Sequence, residues 1–189
     1  MKTILKPDFF DRPALVVARD LLGKYLVREL PDPSTKPGIK AVAFMITETE
    51  AYFGFKDQGS HAHRGKTPRN TPMFGEAGTI YVYFTYGMHW MLNVVCGKKD
   101  FPAAVLIRSA GGVVGPARLT KALSIEKSLN SKKLGKASGV WIEDRGVKIS
   151  PKKIKKTPRI GISNRGVWTN KRWRFVLENK TGENRNPHP

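Results

Sequence analysis

Six residues between Val42 and Tyr52 limit the fold more than anything else in the chain. Val42, Phe44, Ile46, Glu48, Glu50 and Tyr52 share one parity. Side chains of an extended segment alternate between faces, so the six predict a strand with one face that begins apolar and ends acidic and aromatic. That is the pattern of a core strand running out into a site. The chain carries 34 Lys and Arg against 15 Asp and Glu, so acids on a hydrophobic line need an explanation. Parity alone does not choose between Glu48 and Glu50.

Around this strand the chain reads as further short elements. Asp11 to Gly23 predicts a helix, with Asp11 as N-cap, Pro13 in the first turn and Gly23 as the stop. Leu15, Ala18, Leu21 and Leu22 form its buried stripe. A strand follows from Lys24 to Leu30, then a Pro/Gly/Ser loop from Pro31 to Gly38. Residues 53–78 show no regular period and hold His61, His63, Arg64 and Thr67 to Asn70, a long loop of the kind that carries function. From Thr79 to Val95 two β-rich runs flank Tyr86, Gly87 and Met88, a hairpin signal. Such a hairpin places Tyr86 and Met88 at its tip, where a DNA wedge would sit; Tyr86 folded back onto the sheet is the other reading.

Ala103 to Arg108 is an apolar strand that ends on a guanidinium, which invites an acid or a phosphate. A helix is expected from Pro116 to Ser124. Short strands are expected at Gly139 to Ile142, Arg159 to Ile162 and Trp173 to Val176, with a basic loop at Lys152 to Lys156. The tail over residues 179–189 is polar and reads as frayed. All of this fits one domain over residues 1–189, with no internal repeat and no domain-sized linker.

A chain of 189 residues, 40% of them apolar, can bury a real core. No apolar run is long enough to span a membrane, and the first residues lack the apolar stretch of a signal peptide. The single cysteine, Cys96, excludes an intramolecular disulfide and reads as a small buried side chain in a reducing compartment. Net charge is +19, and residues 118–185 hold nineteen Lys and Arg against five acids. The excess points to nucleic acid ahead of acidic lipid, since no amphipathic, aromatic-faced helix accompanies the basic runs. His61 and His63 lack a Cys or a third clustered ligand, so no metal is expected.

Several strings, in their order and spacing, resemble a known family. They are Glu48 to Tyr52, His61, Thr67 to Asn70, Gly78 to Tyr83, Tyr86-Gly87-Met88, Asn93, Val105 to Arg108 and Gly115-Pro116. Together they resemble the alkyladenine (3-methyladenine) DNA glycosylases of the mammalian methylpurine type, which also occur in bacteria. Leu22-Gly23 and Val140-Trp141 are weaker echoes. The resemblance spans roughly residues 8–178.

The resemblance implies a mixed α/β (α+β) fold. This is a single compact domain with a curved, largely antiparallel β-sheet, flanking helices and a protruding hairpin that enters the DNA minor groove. It implies a monofunctional glycosylase of base excision repair, working as a monomer on double-stranded DNA. The implied substrates are damaged purines of the 3-methyladenine, 7-methylguanine, hypoxanthine and ethenoadenine type. By position, Glu50 is the general base that activates water and Arg108 its partner in holding that water. Tyr52, His61 and Tyr83 match residues around the flipped base, and Asn93 matches one that rejects normal guanine. Tyr86 matches the intercalating side chain, with Met88 beside it. No metal, no cofactor and no membrane are implied, and the implied location is the cytoplasmic nucleoid of a bacterium or the nucleus of a eukaryote.

Elementary chemistry leads to a compatible place. A base inside a duplex hides its glycosidic bond and must be extruded, at a cost of a few kcal/mol that an inserted side chain partly restores. Aromatic walls hold the extruded base by stacking, and attract a cationic alkylpurine through their π-faces. A carboxylate stabilises the oxocarbenium-like sugar and deprotonates water. Glu48 remains as the rival base or a structural ion pair.

The chain departs from the family pattern at four places. His89 and Trp90 stand where a tyrosine and a smaller residue are expected, and Phe55-Lys56 replaces a proline-acid pair. The loop with His63 and Arg64 is one residue shorter. Ser109 to Gly112 stands where a glutamate-proline pair is common. An alternative class is a non-catalytic basic binder of distorted or single-stranded nucleic acid, which has no use for two acids among phosphates. An acyl- or formyl-transfer enzyme would want an Asn-His-Asp cluster that His61, His63 and Asn93 do not supply.

Overall fold

The computed structural model describes residues 2–34, 36 and 38–178. Among them, nine strands build one antiparallel sheet: β1 Thr3–Ile4, β2 Tyr25–Pro31, β3 Ile39–Phe53, β4 Ile80–Thr85, β5 His89–Val95, β6 Ala103–Ala110, β7 Val140–Asp144, β8 Ile154–Thr157 and β9 Arg174–Leu177. Their order is β1-β7-β2-β3-β6-β5-β4, with β9 also on β3 and β8 on β9. Three short helices accompany the sheet: α1 Pro7–Phe10, α2 Ala14–Asp20 and α3 Pro116–Ala122. The mixed α/β class with a largely antiparallel sheet is the one the sequence indicated. No helix among the described residues is long and apolar enough to cross a membrane.

Strand β3 is the spine. It pairs with β2 through residues 39–45 and with β6 through residues 46–53, while β9 lies along its other edge at Glu48 to Glu50. Strict alternation breaks in the middle of it. The β3–β6 register shifts between Ile46 and Glu48, and again between Glu48 and Thr49. Ile46 and Ala51 both pack in the main core cluster, although an unbroken strand would put residues at that odd spacing on opposite faces. The bulge turns the end of the strand over. Thr49 faces α2, where its Oγ1 donates to Ala18 O at 2.7 Å, and Glu50 and Tyr52 turn to the other side. The expectation that Val42, Phe44 and Ile46 share a face with Glu50 and Tyr52 is therefore corrected.

Beyond the bulge each strand serves two layers. Ile80, Val82, Leu92, Val94, Val105 and Ile107 pack with Val17, Ala18 and Leu21 of the helical layer in the main cluster. Their neighbours Tyr81, Val95 and Ala104 join Ala62, Met73 and Phe74 in a smaller cluster, against which Tyr52 and Tyr83 pack. Cys96 is fully buried; its thiol donates to Val94 O at 3.4 Å, and burial pushes its ionisation far up.

Three local expectations are revised. Asp11 closes α1, a turn begun by Pro7, and α2 starts after Pro13 with no side-chain cap. Arg159 to Ile162 is not a strand, because Gly161 has φ +79° and bends it into a turn. Lys152 to Lys156 is a 3-10 turn running into β8, which pairs with β9. The tail expected to fray lies outside the described residues.

Candidate active site

The bulge gives the two acids different surroundings. Glu48 lies between β6 and β9. Its Oε1 accepts from Arg108 Nε at 2.9 Å and Arg174 Nε at 2.6 Å, and its Oε2 accepts from Ser109 Oγ at 2.6 Å. Burial raises the Glu48 carboxyl pKa. The hydrogen bonds from Ser109 and Arg174 and the two arginine charges more than offset this and hold it below the usual glutamate range. Both oxygens are thus committed to anchoring.

Glu50 is fully buried. Its Oε1 accepts the Ile160 N–H at 2.8 Å. Its Oε2 accepts the Tyr52 hydroxyl at 2.9 Å and lies 3.3 Å from Arg108 Nη1. A carboxylate has about four acceptor positions, so the two hydrogen bonds leave acceptor capacity open beside the Arg108 charge. Arg108 spans the pair, with Nε on Glu48 and Nη1 towards Glu50.

Tyr52, His61, Tyr83, Tyr86, Asn93 and Arg108 line one cavity of about 250 Å³. The structure thereby gathers six of the eight side chains singled out in the sequence. Glu50 lies behind its wall, in contact with Tyr52 and Arg108, and Met88 lines a neighbouring groove with Trp90 and Arg118. Tyr83 and His61 meet edge to face with centroids 4.5 Å apart. Burial, with Glu50 nearby, pushes the Tyr83 phenol up to about 12. Tyr52 is raised as well, by burial first and Glu50 second, so both rings stay neutral. His61 is lowered to about 4, by burial and then by the Arg69 charge. The Asn93 amide is fixed, since its Nδ2 donates to Tyr81 O at 3.1 Å and Met91 O at 3.3 Å.

The hairpin of β4 and β5 carries Tyr86 at its tip. Tyr86 and Gly87 have φ of +53° and +66°, and Met88 N–H closes the turn on Thr85 O at 3.1 Å. Positive φ is natural for glycine and costs another residue about 1–2 kcal/mol. Tyr86 is 80% exposed and Met88 67%, so burial returns little of that cost. The tip reads as built for contact, and the reading in which Tyr86 packs back onto the sheet does not hold.

Sequence reasoning missed four participants. Tyr81 sits under the cavity and its hydroxyl is 3.0 Å from His61 Nδ1; it shares parity with Tyr83 and could have been found. The Ile160 amide, the Asp57–Arg159 pair and the Arg174 contact lie more than a hundred residues from their partners along the chain, and no local signal marks them. Among the described residues no three His, Cys, Asp or Glu side chains converge to hold a metal ion.

Comparison with known proteins identifies the family. The sequence profile of methylpurine-DNA glycosylases matches residues 8–114 and 111–181. A Methanocella arvoryzae protein, named as a candidate 3-methyladenine DNA glycosylase, is 41% identical over 196 residues covering 93% of each chain. A Psychrobacter cryohalolentis protein of the same name is 40% identical over 192 residues, 88% of each chain. Mouse DNA-3-methyladenine glycosylase is 35% identical over 204 residues that span 92% of this chain and 59% of the mouse one. With a family profile and full-length relatives covering nearly the same residues, the chain belongs to the methylpurine-DNA glycosylase family.

Proposed function

We propose that the protein extrudes a damaged purine from duplex DNA into the 250 Å³ cavity and hydrolyses its N-glycosidic bond with water activated by Glu50. Membership of the family makes it a DNA glycosylase, a hydrolase; the substrates and residue roles are the proposal. Lesions of the 3-methyladenine, 7-methylguanine, hypoxanthine and ethenoadenine type are the expected range, met on chromosomal DNA by a monomer.

The observation that carries this reading is the buried Glu50 carboxylate, held by two hydrogen bonds and an ion pair behind the wall of an aromatic cavity. An acceptor position left open on Glu50 takes the attacking water, and Arg108, fixed by Glu48, steadies that water from the other side. As the bond to the base breaks, the carboxylate faces the positive charge that develops on the sugar, and in a site closed to bulk solvent this attraction is strong. Tyr52, Tyr83 and His61 stack on the base. A neutral His61 adds no charge to oppose a cationic alkylpurine. Asn93, held by two backbone carbonyls, excludes by its bulk the exocyclic amino group of guanine. Tyr86, with Met88 beside it, fills the gap left in the duplex. A cationic base leaves without prior protonation, so a single carboxylate suffices for it. A purely non-catalytic nucleic-acid binder has no use for a clamped, buried carboxylate.

Single-turnover excision from duplexes carrying each lesion tests the reading. Glu50→Gln is expected to lower the rate by about 10²–10⁴-fold while lesion-duplex binding persists. Wild-type rates in that variant would remove Glu50 as the base.

A further inference from the structure

A second buried ion pair lies just behind the cavity, and none of the roles above uses it. Arg159 and Asp57 are both completely buried, with Nη1 and Nη2 on the two carboxylate oxygens at 2.6 and 2.7 Å. The remaining Nη1 proton goes to Ala51 O at 3.0 Å, on β3 between Glu50 and Tyr52. The guanidinium also stacks against the rings of Tyr52 and Trp173, 4.8 and 5.0 Å from their centroids. Asp57 accepts in addition from the Phe53 and Gly59 amides. Arg159 Nε is buried with no partner. A fully desolvated pair roughly breaks even against apolar packing, and an orphaned donor adds to its cost. Stability is therefore a weak reason for this pair to exist.

What the pair does have is an address. The next residue, Ile160, gives its amide to Glu50 Oε1 at 2.8 Å, and Ile160, Gly161 and Ile162 roof the cavity. Gly59 leaves the space this roof needs, since a Cβ there would overlap Ile162 Cδ1 and come within 2.8 Å of Arg159 Nη2. We infer that Asp57 and Arg159 are positioning residues for the reaction: they lock residues 159–162 so that the Ile160 amide fixes one oxygen of Glu50 while the other meets Tyr52 and Arg108. This rests on the reading of Glu50 as the base. Arg108, Glu48, Tyr52 and Tyr83 are the other ionisable groups set around Glu50, and none of them touches the Asp57–Arg159 pair except through the Tyr52 ring.

The test compares Arg159→Lys and Gly59→Ala with the wild type, in full-length protein, on hypoxanthine and 7-methylguanine duplexes. Lysine cannot make the bidentate bond, and alanine crowds Arg159 Nη2 and Ile162 Cδ1 with both charges kept. Each is expected to slow single-turnover excision about ten- to a hundredfold, the scale of a small misplacement of a reacting group. Losing the amide donor also disfavours the ionised carboxylate, so the acidic limb of the rate profile moves to higher pH. Replacing the amide of Ile160 by an ester, through semisynthesis, should move the same limb with Arg159 intact. A lower melting temperature with an unmoved acidic limb in Arg159→Lys and Gly59→Ala, while the ester moves it, would overturn the inference and leave the pair structural. If Arg159→Lys does not fold, the other two decide. An active Glu50→Gln would instead remove the base assignment, so the two failures are distinguishable.

Discussion

His61 meets the cavity as a neutral imidazole, and this ties pH to stability with a definite sign. Its pKa falls from 6.5 to about 4 on folding, through burial and then the Arg69 charge. Between those values the unfolded chain binds more protons than the folded one, so stability falls as pH drops through that window. Glu48 acts the same way lower down: its carboxyl is held below its usual range, and its stabilisation is present at neutral pH and lost on acidification. Calorimetry should show the melting temperature falling from pH 7 to 4. His61→Gln should flatten the upper part of that fall, and an identical slope in both proteins would mean that His61 titrates normally. At this scale much was legible. Glu50, Tyr52, Tyr83, Asn93 and Arg108, matched by position to the family pattern, lie together, because strands bring alternate residues to one face. Which acid does what was not legible from parity, since it depends on Ser109 and Arg174 closing around Glu48.

The hairpin and the spine strand show where element-scale reasoning succeeds and stops. Tyr86-Gly87 between two β-rich runs announced a turn, and β4 and β5 pair from Ile80–Val94 to Thr85–His89. Local chemistry specifies such an element. The bulge in β3 has no comparable mark, because register is decided by the partner strand; the segment from Arg159 to Ile162 looks like a strand and is bent where Gly161 takes a positive φ. The positive φ of Tyr86 gives a prediction. Asparagine tolerates the left-handed region better than tyrosine, so Tyr86→Asn is expected to keep or raise the melting temperature while removing the side chain proposed as the wedge. Stopped-flow fluorescence of ethenoadenine in duplex DNA should then show base extrusion lost. Normal extrusion in this variant would separate the strained tip from flipping.

At the scale of the whole molecule, the net charge of +19 sets how the protein finds DNA. Phosphate contacts release counterions, so affinity for undamaged duplex should fall steeply between 50 and 200 mM salt, roughly 10³-fold or more if six or more phosphates are engaged. Lys152, Lys153, Lys155 and Lys156 lie in the basic third, on or before β8 and beside β9, and three of these four side chains carry no ion pair among the described residues. Changing all four to glutamine should reduce the slope of log affinity against log salt, by about one for each lysine that touches a phosphate. An unchanged slope would place the DNA cradle elsewhere on the surface. The buried cysteine adds a practical consequence. Because Cys96 is sealed in the core and its thiol resists ionisation, it is inert to thiol reagents while the protein is folded. Any cysteine introduced on the surface is then the one thiol that reacts. A dye placed at exposed Val167 can report docking on DNA in real time, with no native cysteine to remove first.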